Sequence, residues 1–207
     1  MSHFAVMIIG DNQEEQLAKY DEGIEMPEYK DSKVSKSDKD SMVDYYSRNK
    51  GFKGTFEECC AKFGDDWNGN RYRKDENGVW CEYSTYNPNS KWDWYVIGGR
   101  WGGLIQLKKG VKPLQPVNFS WGWEEEDKQR VIRENRADIA YKKDIENFDD
   151  LVCFALVKDG EWYERGSMGW WGIVSEEKPD EEWESEFKRL VSELPDNTLI
   201  SIYDCHI

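Results

Sequence analysis

Both ends of this chain read as strands that are apolar on two faces, and that constrains the fold more than any other feature. In residues 3–9, Phe4, Val6 and Ile8 share one face while Ala5, Met7 and Ile9 share the other. Residues 199–205 have the same two-sided character. A strand covered on both faces belongs in the middle of a sheet. The polar segments must then be arranged around a core that the two ends help to build.

The rest of the chain supplies elements in no regular alternation. Asn12 is placed to cap a helix over residues 14–20. Residues 21–40 are polar, contain Pro27, and read as a loop or insertion, with a short helix expected over 40–48. Thr55 and Glu58 form a capping box before a helix that should end at Gly64. Residues 79–85 and 91–97 read as strands separated by Asn87-Pro88-Asn89, and residues 104–108 as another. In the second of these, alternation puts Trp92, Trp94 and Val96 in the core and Lys91, Asp93 and Tyr95 toward solvent or a ligand. Residues 124–147 are charged and helix-favouring, with Val131, Ile132, Ile139, Ala140 and Ile145 as a thin apolar stripe. Asp159-Gly160 marks a hairpin between residues 151–157 and 161–165. Trp183, Phe187, Leu190, Val191 and Leu194 line one face of a helix over 181–194, ended by Pro195. The expected class is α+β: a single mixed or mostly antiparallel sheet with helices packed on it and the terminal strands central. One domain, 1–207, is expected, with a variable polar insertion at about 21–50.

Composition narrows the function. Only 38% of residues are hydrophobic, but 14% are aromatic, so few and bulky side chains must fill the core. The net charge of −14 argues against direct nucleic-acid binding and against anionic membranes. No apolar run approaches the roughly 20 residues that span a bilayer, and no secretion signal is legible. Five cysteines with no C-x-x-C pair fit a reduced, cytoplasmic setting.

The chemistry concentrates in residues 87–103, NPNSKWDWYVIGGRWGG. Aromatic faces, cationic donors and glycine-rich backbone together suit a flat, anionic small molecule. The candidate site is Lys91 and Arg100 on phosphate, Tyr95 and Trp101 stacking on a base or sugar, Gly98 and Gly99 offering backbone donors, and Asp93 accepting from a ribose hydroxyl. Further aromatic–glycine clusters, Trp121-Gly122-Trp123 and residues 166–172, read as lids or core plugs. A second candidate arises if the terminal strands pair, since His3 then approaches Asp204 and His206 as an acid–base or metal-binding trio. No nucleophile-elbow, phosphate-loop or dinucleotide fingerprint occurs, and no metal or cofactor is expected.

The opening MSHFAVMIIGDN, the segment EEQLAKYDE, the central NPNSKWDWYVIGGRW and the ending LISIYDCHI resemble a family of small proteins of tailed phages and prophages. Its members begin M-S-H-F-[TA]-V and carry an N-P-x-x-K-W-D-W-Y-x-x-G-G-R-W core. The resemblance implies a phage origin and action in the cytoplasm of an infected bacterial cell. By analogy with other small acidic phage proteins, it implies an anti-defence protein that sequesters a nucleotide-derived immune signal, either a cyclic dinucleotide or an ADP-ribose derivative, without catalysis. A homodimer closing its site at a subunit interface accompanies that expectation. The alternatives are an enzyme cleaving such a signal through His3, Asp204 and His206, and an acidic, DNA-mimicking inhibitor that binds a host defence protein.

Overall fold

The computed structural model describes residues 2–63 and 71–207. They divide into two compact units, one within Met1–Glu22 and Asn89–Ile207 and the other within Gly23–Pro88. In chain order the elements are β1 (His3–Ile9), α1 (Gln13–Ala18), β2 (Tyr29–Lys33), α2 (Lys36–Lys50), α3 (Phe56–Phe63), β3 (Arg71–Lys74) and β4 (Trp80–Ser84). There follow β5 (Trp94–Ile97), β6 (Ile105–Gln106), α4 (Glu125–Arg133), β7 (Arg136–Ala137) and β8 (Ile139–Tyr141). The last are β9 (Ala155–Lys158), β10 (Glu161–Glu164), β11 (Ser167–Met168), β12 (Val174–Ser175), α5 (Asp180–Ser192) and β13 (Leu199–His206).

The terminal strands are central, as their two apolar faces require. β1 and β13 pair antiparallel along their whole length, from His3 opposite His206 to Ile9 opposite Ile200. On its other side β1 runs parallel to β9, which turns back into β10 through Asp159 and Gly160, both at positive φ. The far edge of β13 is shared by β5 and β8. This is a six-stranded mixed sheet in the order β10-β9-β1-β13-β5, with β8 also on β13. The expected single sheet is thus corrected, because small sheets β11-β12, β2-β4-β3 and β6-β7 accompany it.

Each face of the large sheet has its own core. On one, Ala5, Met7, Ile200 and Ile202 meet Trp183, Phe187, Leu190 and Val191 of α5. The α5 periodicity predicted this, and the Trp183 indole N–H is satisfied by the Cys153 carbonyl at 2.8 Å. On the other, Phe4, Val6, Ile8, Tyr203 and Cys205 meet Leu17, Tyr20 and Trp92.

The smaller unit pairs the β2-β4-β3 sheet with the helices α2 and α3. Ser35 and Asp38 form a capping box at α2, and Thr55 and Glu58 bond reciprocally at α3. The expected end of α3 at Gly64 lies outside the described residues.

Several local expectations are corrected. Residues 21–40 contain a strand, and the helix expected over 40–48 already begins at Lys36. Asn12 is in the left-handed region and its side chain makes no cap bond. The 79–85 and 91–97 segments do hold strands, as expected, but in separate sheets: β4 lies between β2 and β3, while β5 lies on β13. The α-helix in the charged 124–147 segment ends at Arg133, because Asn135 at φ 58 turns the chain into β7 and β8, and only a single 3₁₀ turn at Lys142–Asp144 follows. The Trp92/Trp94 face also divides. Asp93 is a bend outside β5, so Trp92 packs edge-on against Tyr95 at 4.7 Å while Trp94 emerges on the opposite face, 48% exposed.

Among the described residues no helix is long and apolar enough to cross a membrane. Trp92 is 7% exposed and donates its indole N–H to the Leu17 carbonyl at 3.3 Å. Trp92→Ala should therefore cost about 3–5 kcal/mol, read as a lower urea midpoint in equilibrium unfolding.

Candidate functional site

Two buried aspartates organise the loop from Gly98 to Gly103. Asp204, wholly buried on β13, accepts the Arg100 backbone N–H through Oδ2 at 2.9 Å. Asp138, wholly buried between β7 and β8, accepts the N–H of Gly103 through Oδ1 and that of Asn118 through Oδ2, both at 2.7 Å. The glycines permit this approach. A Cβ on Gly98 would stand 2.5 Å from Asp138 Oδ2, and one on Gly99 would stand 2.7 Å from Asp204 Oδ2; both residues also sit at positive φ. Burial pushes the Asp138 carboxyl above its ordinary range, and its two backbone bonds only partly offset that.

Most of the loop's N–H groups are consequently bonded inside the protein. Gly98 donates to the Ile202 carbonyl, Trp101 to Gly98 and Gly102 to Gly99. The Gly98 N–H expected for an anion is instead an internal fastener, which corrects the reading of Gly98, while Gly99 contributes its carbonyl, which accepts from the N–H groups of Gly102 and Ser120.

The Arg100 side chain points elsewhere. Among the described residues its guanidinium has no carboxylate partner, and it lines a cleft of about 260 Å³ together with Trp101, Trp123, Arg130, Glu134 and Arg136. Trp123 is anchored by its indole N–H on the Gly99 carbonyl at 3.2 Å. Arg130 pairs with Asp127 at 2.9 Å and Arg136 with Glu134 at 2.8 Å, both at the surface, where such pairs hold weakly. Three arginines, two tryptophans and one glutamate therefore line one concavity in a chain of net charge −14.

A second cluster lies at the end of the sheet where the termini meet. The His3 and His206 rings stand edge to face, 4.8 Å between centroids, with Trp94 beside both at 6.1 and 6.4 Å. His3 donates from Nδ1 to Asp204 Oδ1 at 2.8 Å, and His206 from Nδ1 to Asp93 Oδ1 at 2.5 Å. Neither Nε2 has a partner among the described residues. The side chains are 15% and 12% exposed, so the rings are fixed but reachable. Among the described residues no three His, Cys, Asp or Glu side chains form a group able to hold a metal.

The seven residues expected to form one pocket are thus distributed. Arg100 and Trp101 line the cleft. Asp93 joins the histidines. Lys91 is paired with Glu164 at 2.6 Å. Tyr95 lies between Trp92 and Tyr203, and burial raises its hydroxyl pKa. The alternative trio His3, Asp204 and His206 does converge, with Asp93 as an additional member. Sequence reasoning misses Arg130, Arg136 and Asp138 because they fall in a segment that reads as a surface helix, and Trp94 because alternation places it in the core. Only Trp123 carried a signal, its place in an aromatic–glycine cluster.

Comparison with protein-family models, with curated proteins and with solved structures finds no match to this chain.

Asp138→Asn turns an NH₂ toward one of two backbone donors, and should cost about 1–3 kcal/mol. Because the folded carboxyl pKa is raised, its favourable contribution is complete below the ordinary value of 3.8 and is lost as pH rises through the folded value. Urea unfolding of wild type and variant across acidic to neutral pH should show that decline in the wild type and a flatter profile in the variant.

Proposed function

We propose that this chain captures a nucleotide-derived signal in the arginine–tryptophan cleft and holds it, acting as an anti-defence protein of a phage in an infected bacterial cell. The observation that carries the reading is that Arg100, whose guanidinium has no carboxylate partner among the described residues, lines one hollow with Trp101, Trp123, Arg130 and Arg136. Planar guanidinium groups match phosphate bidentately, indoles stack on bases, and Glu134 is placed to accept from a ribose hydroxyl. The roles first given to Lys91, Tyr95 and Asp93 pass to Arg130 and Arg136, to Trp123 and to Glu134.

Size limits what can enter. The cleft, about 260 Å³, lies just below the range of roughly 300–1,000 Å³ usual for small-molecule sites. It suits one nucleotide unit, with the remainder of an ADP-ribose derivative or cyclic dinucleotide projecting outward. A two-fold symmetric ligand with two such units would be enclosed by two copies of the chain, which is where the homodimer enters.

The decisive variant is Arg100→Ala. The structural bond at this position comes from the backbone N–H, so the loop keeps its attachment to Asp204. Removing a charged hydrogen bond worth about 1.5–3 kcal/mol should weaken binding about 10- to 150-fold. Titration calorimetry against a panel of cyclic dinucleotides and ADP-ribose should show this with an unchanged unfolding midpoint. Undiminished binding by the variant, or no binding of the panel by wild type, sinks the reading.

A further inference from the structure

The cleft leaves the histidine cluster without a task, and its geometry is that of a proton-transfer site. A carboxylate on Nδ1 fixes ring orientation and tautomer, and leaves Nε2 as the working atom. Here this occurs twice, on adjacent central strands, at one end of the sheet. His3, His206 and Trp94 form a single lateral row, because His206 is the register partner of both others. Trp94 is 48% exposed, which is unusual for an indole in a sheet and leaves an open face beside the rings.

We infer that His3 and His206 are a catalytic acid–base pair for cleavage of a ribonucleotide phosphodiester whose phosphorus adjoins a ribose 2′-hydroxyl, with Trp94 stacking on a base. One Nε2 takes the proton of the 2′-hydroxyl as its oxygen attacks phosphorus. The other Nε2–H gives its proton to the 5′-oxygen as the P–O5′ bond breaks. The products are a 2′,3′-cyclic phosphate and a free 5′-hydroxyl; the proton removed from one oxygen is balanced by the one delivered to the other, and the step needs no co-reactant. Asp93 and Asp204 are positioning residues. The net charge of −14 disfavours long RNA, so the substrate class is a small ribonucleotide such as a cyclic or linear dinucleotide. A pyrophosphate-linked ADP-ribose derivative has no hydroxyl so placed and is held intact. The choice of substrate rests on the capture reading; the chemistry of the pair does not.

The test uses the full chain and the diribonucleoside monophosphate ApA, with its 2′-deoxy analogue as control. His3→Asn and His206→Asn replace Nδ1 by an amide NH₂ that can still reach Asp204 and Asp93, and they delete Nε2. Wild type should release adenosine and adenosine 2′,3′-cyclic phosphate, seen by chromatography and mass spectrometry. Each variant should be slower by about 100-fold or more, and the deoxy analogue should stay whole. Asp93→Asn should lower kcat and leave KM in place. Intact ApA with wild type, wild-type rates in both Asn variants, or cleavage of the deoxy analogue overturns the inference. Nucleotide binding without cleavage would leave the capture reading standing and remove this one. Cleavage unaffected by Arg100→Ala, with no nucleotide bound in the cleft, would do the reverse.

Discussion

The full-length antiparallel pairing of β1 with β13 is the constraint on which the larger unit depends. Seven register pairs join the two ends of the chain. Every other strand of the six-stranded sheet attaches to one of these two directly, or through β9. The pairing closes a loop of nearly the whole sequence, and the cost of such a closure grows only slowly with its length. What offsets that cost is two-sided burial. Val6, Met7, Ile8, Ile200 and Ile202 are wholly inaccessible, a pattern that a strand exposed on one face does not produce. The same register sets His3 opposite His206, so the histidine pair at the end of the sheet is a consequence of the packing along it.

The glycine-rich loop after β5 shows how one motif can serve two masters. Glycine-rich backbone beside arginine invites the reading of an anion cradle. In this fold the glycines let two buried carboxylates reach the backbone, and those carboxylates take the donors an anion would need. Most of the loop's N–H groups are thereby bonded within the protein. These bonds hold Trp101 and Arg100 at the rim of a cleft whose other wall is α4 and β7. Preorganised walls of this kind lower the ordering cost of binding.

Long-range topology was legible where burial was two-sided or strictly periodic. β1, β13, α5 and the β9–β10 turn follow directly from Phe4–Ile9 alternation, the Trp183/Phe187/Leu190 spacing and Asp159-Gly160. Legibility failed where one residue switches the backbone. A bend at Asp93 reverses the parity of the tryptophans, which moved Trp94 from the expected core to the surface and Tyr95 the other way. A left-handed Asn135 cut a helix that composition favoured, and thereby hid Arg136 and Asp138. Two-residue strands such as β6 and β7 carry too few side chains to show a period. The convergence of His3, Asp204 and His206 was readable because it required only that the termini pair. The Asp93–His206 contact was not, because it depends on that same bend.

Asp204 joins the two candidate sites. Its Oδ1 orients the His3 imidazole and its Oδ2 holds the backbone of Arg100, so one buried carboxylate fixes both a ring and the start of the loop that carries the cleft. A carboxylate buried this deeply is tolerable only while its acceptors are filled, since an unmet hydrogen bond there has no water to replace it. Asp204→Asn would turn an NH₂ toward one of its two donors, so a change at this one side chain reaches both the ring and the loop. That shared dependence follows from the register of β13, which places His206 and Asp204 on one face and two residues apart, between the strand that begins the chain and the strand that leads into the loop.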